Sequence, residues 1–162
     1  MTQVPIGRRS FVTMAATTAL LTGTGQLSPV RAQALAPTKS MRGGSNNYLP
    51  RAPIVERIGG GGFLMSGSVH RADDGAPLEG IRIQIWAHTT EGHERDPWSH
   101  GATLTNAKGV FQLEMPQIVP AFGQPHGHLA YDSGEFKTVF LRPVMASSRD
   151  KSLSAHFVLQ PA

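Results

Sequence analysis

The sequence predicts an all-β fold, a sandwich of two packed sheets, on three observations. From Phe63 onward, apolar runs of strand length are separated by turn residues. The clearest run, Ile81 to His88, alternates strictly: Ile81, Ile83 and Ile85 face one way, and Arg82, Gln84 and Trp86 the other. Beyond residue 34, no segment sustains a capped helical period over ten residues. Six or seven short strands with frequent turns favour a β-sandwich over a barrel or an α/β fold.

Residues 1–34 have the layout of a secretory signal. Arg8 and Arg9 supply a charged start, a small and apolar run extends from Phe11 to Thr22, and Ala32-Gln33-Ala34 is a small-residue cleavage site. The paired arginines followed by Ser10, Phe11 and Val12 match the twin-arginine export signature. The run is too short and too rich in Thr and Gly for a transmembrane anchor, which needs about 20 mainly apolar residues. The expectation is a cleaved, periplasmic or secreted protein with no membrane span after cleavage.

Residues 35–62 read as an extended arm, punctuated by Pro37, Gly43, Gly44, Pro50, Pro53 and the run Gly59 to Gly62, and expected to lie irregularly over the surface. The sandwich domain follows at 63–162. Its expected strands are Phe63–His70, Ile81–His88, Ala102–Thr105, Val110–Met115, His126–Tyr131, Glu135–Leu141 and Ala155–Leu159. Asp73-Asp74-Gly75 closes the first as a turn; it lacks the further oxygen ligands of a calcium loop. Asn106-Ala107-Lys108-Gly109 is expected to be a hairpin turn, its Gly free to take positive φ. Trp86 and Phe111 are expected core aromatics, and Arg142-Pro143 ends a strand.

Charge excludes one class of partner. The chain has 15 Lys and Arg against 11 Asp and Glu, but residues 1–34 hold Arg8, Arg9 and Arg31 and no acid. The remaining 12 basic and 11 acidic residues leave +1, so the high pI belongs largely to the signal. Nothing then points to nucleic acid or to an anionic membrane. There is no Cys, which excludes disulfides, thiolate metal sites and Cys nucleophiles.

The chemistry-bearing residues are seven histidines: His70, His88, His93, His100, His126, His128 and His156. In Gln124-Pro125-His126-Gly127-His128, the two imidazoles are two residues apart at the start of an expected strand, so they share a face and can converge on one ion. Gly127 leaves the opposite face open to close approach. Trp86-Ala87-His88-Thr89-Thr90-Glu91-Gly92-His93-Glu94 places further imidazoles and carboxylates in a loop at a strand end. The candidate ligands are therefore His126, His128, His93, His88 and Glu94, and imidazole suits Zn, Cu, Fe and Ni alike.

Five blocks in order resemble the intradiol ring-cleavage dioxygenases, the catechol and protocatechuate enzymes. They are Tyr48-Leu49-Pro50-Arg51-Ala52-Pro53, then Gly67-Ser68-Val69 with Gly75 through Trp86, Gly101 through Phe111, Met115-Pro116, and His126-Gly127-His128. The resemblance covers residues 46–145. It implies a transthyretin-like β-sandwich holding one non-haem ferric ion through two Tyr and two His, and cleavage of a catechol ring with O₂. This chain departs from that ligand set. The register of the first Tyr reads Gly92-His93-Glu94, that of the second holds Phe122, and the family's Arg before the His pair is Gly123 or Gln124. The chain has only two tyrosines, Tyr48 and Tyr131, neither in register. His93 or Glu94, with His88, can replace the missing phenolates, and such a set resembles Fe(II), Zn or Cu coordination.

Three functions follow as expectations. One is an oxidoreductase acting on a catechol-like or other oxygenated small molecule through one transition metal, iron by resemblance and Cu or Zn as alternatives. A second is a non-catalytic binding module or accessory subunit of another exported enzyme, or a homodimer. A third is a periplasmic metal carrier.

Overall fold

A computed structural model describes residues 32–162. Residues 1–31 of the expected signal, 1–34, therefore lie outside the described residues. Seven strands form two sheets: β1 (Phe63–Arg71), β2 (Arg82–Ala87), β3 (His100–Leu104), β4 (Val110–Met115), β5 (Gly127–Tyr131), β6 (Val139–Leu141) and β7 (Ser152–Leu159). The order is β4-β1-β7 in one sheet and β3-β2-β5-β6 in the other. All pairs are antiparallel except β1 with β7. Among the described residues the only helical element is one 3-10 turn, Pro97–Ser99, and no helix is long and apolar enough to cross a membrane.

The alternation in the sequence sets the core. Phe63, Met65 and Val69 of β1, Ile83 and Ile85 of β2, Phe111 and Leu113 of β4, Leu129 of β5 and Phe157 of β7 fill the space between the sheets. Gly127 meets this core from β5: a Cβ there would lie 2.9 Å from the Met65 methyl, so a side chain at this position would make the end of Met65 shift.

Two expectations need correction. Asn106–Gly109 is a tight turn, with Gly109 at φ 71° and its N–H bonded to the Asn106 carbonyl at 2.8 Å, but it does not join a hairpin. β3 pairs with β2 and β4 with β1, so this turn carries the chain from one sheet to the other. A side chain at Gly109 would meet the Val69 carbonyl at 2.5 Å, which explains how closely the crossing is packed. Trp86 is fully buried but lies outside the inter-sheet core. It points to the outer face of the four-stranded sheet, as its alternation with Ile85 requires.

That outer face is covered by the irregular arm. The Gln84 side-chain amide donates to the Leu49 carbonyl at 2.6 Å and accepts from the Ala52 N–H at 3.3 Å. The Trp86 indole N–H donates to the Asn46 carbonyl at 2.9 Å. Tyr48 packs against Trp86 and Phe140, at centroid distances of 5.7 and 5.1 Å. A strand sheltered on both sides shows no burial alternation, and β5 is buried at every residue.

Candidate metal centre

Three of the five predicted ligands converge. Nε2 of His128 lies 3.3 Å and Nε2 of His126 3.5 Å from one oxygen, Oε2, of Glu94, and the ligand atoms lie within 4.8 Å of one another. Strand geometry places the imidazoles: His126 just precedes β5 and His128 is its second residue, so both project from the arm-covered face. Glu94 arrives from the loop between β2 and β3. All three residues are less than a tenth exposed.

Each ligand is held by a second contact that leaves the inward atom free. His128 Nδ1–H donates to the Gly44 carbonyl at 3.0 Å, and His126 Nδ1–H donates to the Gln124 carbonyl at 2.8 Å. With the proton on Nδ1, both Nε2 lone pairs face Glu94. The other carboxylate oxygen, Oε1, accepts from the Asn47 amide at 2.6 Å. Asn47 sits at φ 56°, a left-handed conformation that Asn tolerates better than most residues.

The Glu94 backbone is anchored as well. His100 Nε2–H donates to the Glu94 carbonyl at 2.8 Å, which leaves His100 Nδ1 to accept from Gln84 at 3.5 Å. Trp86 is stacked between His100 and His128, with centroids 5.4 and 5.1 Å away and planes within 9° and 8° of parallel. These are direct cross-strand neighbours on β3, β2 and β5. Burial pushes both His100 and His128 below the ordinary imidazole value of 6.5. The Glu94 carbonyl opposes this for His100, and the Gly44 carbonyl and Glu94 carboxylate oppose it for His128. Neutral imidazole is the form that binds metal.

His88 and His93 are not brought into this group. Their rings pack edge to face on each other at 4.9 Å. His93 Nδ1 accepts from the Arg95 N–H at 3.3 Å, and the half-buried His88 has an unpartnered Nδ1 among the described residues. His93 nevertheless lines a cleft of about 650 Å³ that reaches Glu94 and His126, with Asn46, Arg95, Phe122 and Arg142, while His128 lies fully buried behind it. Phe122 stands at this rim almost wholly exposed, at φ 52°.

The donor set fits a metal ion but not the phenolate site implied by the resemblance. Tyr48 donates its hydroxyl to Asp132, and its pKa is pushed up to about 12 by burial first and then by that carboxylate. Tyr131 is buried, with its oxygen accepting from the Phe136 N–H at 3.1 Å. One carboxylate oxygen and two imidazole nitrogens around a shared point match the two-His-one-carboxylate arrangement of non-haem Fe(II) sites, and also suit Zn. Sequence reasoning missed Gly44, Asn47 and Arg142 as participants. Of these, only the Asn46-Asn47 pair carried a local signal, its tolerance of left-handed backbone.

No family model matches the chain, and no curated protein matches it. Solved structures do. The fold is similar to that of hydroxyquinol 1,2-dioxygenase from Pseudomonas putida, with TM-score 0.58 and 13% identity over 80% of this chain and 68% of that one. It is similar to 3-chlorocatechol 1,2-dioxygenase from Rhodococcus opacus, with TM-score 0.57 and 14% identity over 77% and 72%. It is also similar to the dioxygenase domain of a dioxygenase–carbohydrate-binding fusion from a Streptomyces species, with TM-score 0.57 and 15% identity over 80% of this chain and 100% of that domain. The chain thus has a divergent intradiol-dioxygenase-like fold.

Proposed function

We propose that this protein is an exported, mononuclear metal-dependent oxidoreductase acting on a small aromatic diol or a related oxygenated molecule. The observation that carries the reading is the convergence of Glu94 Oε2 with Nε2 of His126 and His128, two of which, Glu94 and His126, line an open cleft. Catechols and hydroxyquinol are named as substrates of the proteins whose fold it shares, which supports the substrate class. The twin-arginine signature supports export. Iron is the favoured ion, in its divalent state, because no phenolate is present to stabilise the ferric one.

His126, His128 and Glu94 would hold the ion; bound there, iron supplies Lewis acidity and electrons for reaction with dioxygen. The chain's own residues set the conditions. The Gly44 and Gln124 carbonyls fix the imidazole tautomers, and Asn47 keeps Glu94 Oε1 occupied so that Oε2 alone faces inward. The Trp86 stack and the arm exclude water from behind, while the cleft admits a ligand on the open side.

The test is metal analysis of the mature protein exported from its own host, followed by oxygen uptake with catechol. Near one metal per chain, lost in His126→Ala and in His128→Ala, is expected. Folded protein exported without metal would overturn the metal reading. Metal-loaded protein that turns over no aromatic diol would favour a second reading, a metal-binding accessory module or carrier, which the missing phenolates support.

A further inference from the structure

Trp86 stands between a candidate metal ligand and the protein surface. Its indole is fully buried and stacked on His128, with centroids 5.1 Å apart and planes within 8° of parallel. Tyr48, the only aromatic residue of the arm, packs against the same indole at 5.7 Å. Both spacings are those of rings in contact. Tyr48 in turn donates its hydroxyl to Asp132, which pairs with Arg82 at 3.3 Å. Asp132 and Arg82 line a surface recess of about 270 Å³ with Arg51 and Ser133. His128, Trp86, Tyr48 and Asp132 therefore form an unbroken series of contacts leading away from the triad, on the side opposite the ligand atoms.

The side-chain types in this series share one property. Indole and phenol are the aromatic side chains most readily oxidised by one electron, and touching rings pass an electron far faster than aliphatic packing does. The Tyr48 phenol is neutral at working pH, its pKa pushed up to about 12 by burial first and then by Asp132. A neutral phenol that loses an electron becomes a strong acid and needs a base at hand, and the hydrogen-bonded Asp132 carboxylate is that base. The chain has no Cys to serve instead. Its other Tyr and Trp lie off the series: Tyr131 belongs to the inter-sheet core, and Trp98 is 66% exposed on the 3-10 turn.

We propose that Trp86 and Tyr48 form a one-electron outlet that joins His128 of the metal site to the surface at Asp132. This rests on the metal reading above. The oxidant is dioxygen, or peroxide derived from it, reacting at the ion when no organic substrate is present. One electron passes from Trp86 toward the ion, and one from Tyr48 refills Trp86. The phenolic O–H bond breaks, its proton goes to Asp132, and a neutral tyrosyl radical remains. A soluble reductant of the thiol or ascorbate class returns one electron and is itself oxidised by one electron. Asp132 returns the proton, and the phenol is restored. The outlet spares the imidazole ligands from oxidation.

The test loads the mature protein with Fe(II), mixes it with hydrogen peroxide without substrate, and freezes samples for electron paramagnetic resonance. Wild type is expected to show a tyrosyl radical whose signal narrows when the protein carries ring-deuterated tyrosine. Tyr48→Phe should lose that signal while holding the same iron, and Tyr131→Phe should keep it. In Tyr48→Phe, oxidation should move to Trp86 and His128, found as added oxygen by peptide mass spectrometry. Asp132→Asn keeps the side chain's size, removes the base and should lower the radical yield, which keeps the test decisive if Tyr48→Phe does not fold. A radical that survives Tyr48→Phe, one on Tyr131 or Trp98, or an unchanged yield in Asp132→Asn overturns the proposal. So does iron-loaded wild type without a radical. Wild type that takes up no Fe(II) overturns the metal reading, and this inference with it.

Discussion

The two sheets share one inner core but have opposite outer faces. On the three-stranded sheet, Ser66, Ser68, Ser152, Ser154, His156 and Gln112 point outward and none is buried. His156 meets Ser68 at 2.9 Å in an exposed contact. On the four-stranded sheet, the outward residues Gln84, Trp86, His100 and His128 are all buried, because residues 44–52 lie across them. The same strand alternation thus produces a washed surface on one side and a sheltered polar layer on the other. In a sheltered layer each polar group must find a partner, so side chains are fixed in direction and protonation. Metal ligands need that fixity, and the site lies there.

Matched substitutions on the two faces sharpen the contrast. His128→Ala should abolish metal binding, beyond the roughly 100-fold reached by changes behind the ligands, whereas His156→Ala should leave metal content unchanged; metal analysis of the pair decides. Next in size is Asn47→Gly. Because Asn47 is at φ 56°, glycine removes the amide without straining the turn. Metal affinity should fall about 10- to 100-fold with thermal stability little changed, and a titration showing unaltered affinity would remove Asn47 from the site.

Gln84→Leu leaves the Leu49 carbonyl and the Ala52 N–H without their partner and should cost about 1–3 kcal/mol in denaturant unfolding. Gln112→Leu, on the open face, should stay within about 0.5 kcal/mol. The smallest effect concerns pH. His100 and His128 are held below 6.5 in the folded state, so below that pH the unfolded chain binds more protons. The metal-free protein should therefore be at full stability above pH 6.5 and lose stability as pH falls below it, seen as a declining Tm.

The strands were largely legible because period-two alternation and turn residues are local signals. β4 matches its expected limits, and β2 falls within Ile81–His88. Sheet membership was not legible: Asn106–Gly109 looks like a hairpin turn, and only the partners of β3 and β4 decide otherwise. At the site, His126 and His128 were legible from their spacing in one strand. Choosing Glu94 over its neighbour His93 depends on which way a loop residue points, a property without period. Asn47 and Gly44 lie 47 and 84 residues from the groups they hold, and no pattern in the chain links them.

Those long separations also bear on the order of assembly. The Gly44 carbonyl and the Asn47 amide reach the site only after β2, β3 and β5 have paired and the arm has closed over them. Distant contacts of this kind form late because chain entropy opposes them until the rest is in place. A bound ion would stabilise the docked arm in proportion to its own affinity. Removing the ion should then speed amide hydrogen exchange in residues 44–52 more than in β1 or β4. On this view a metal would act as a seal on a finished fold: it would be retained only by chains whose arm, residues 44–52, has settled onto strands that follow it in sequence.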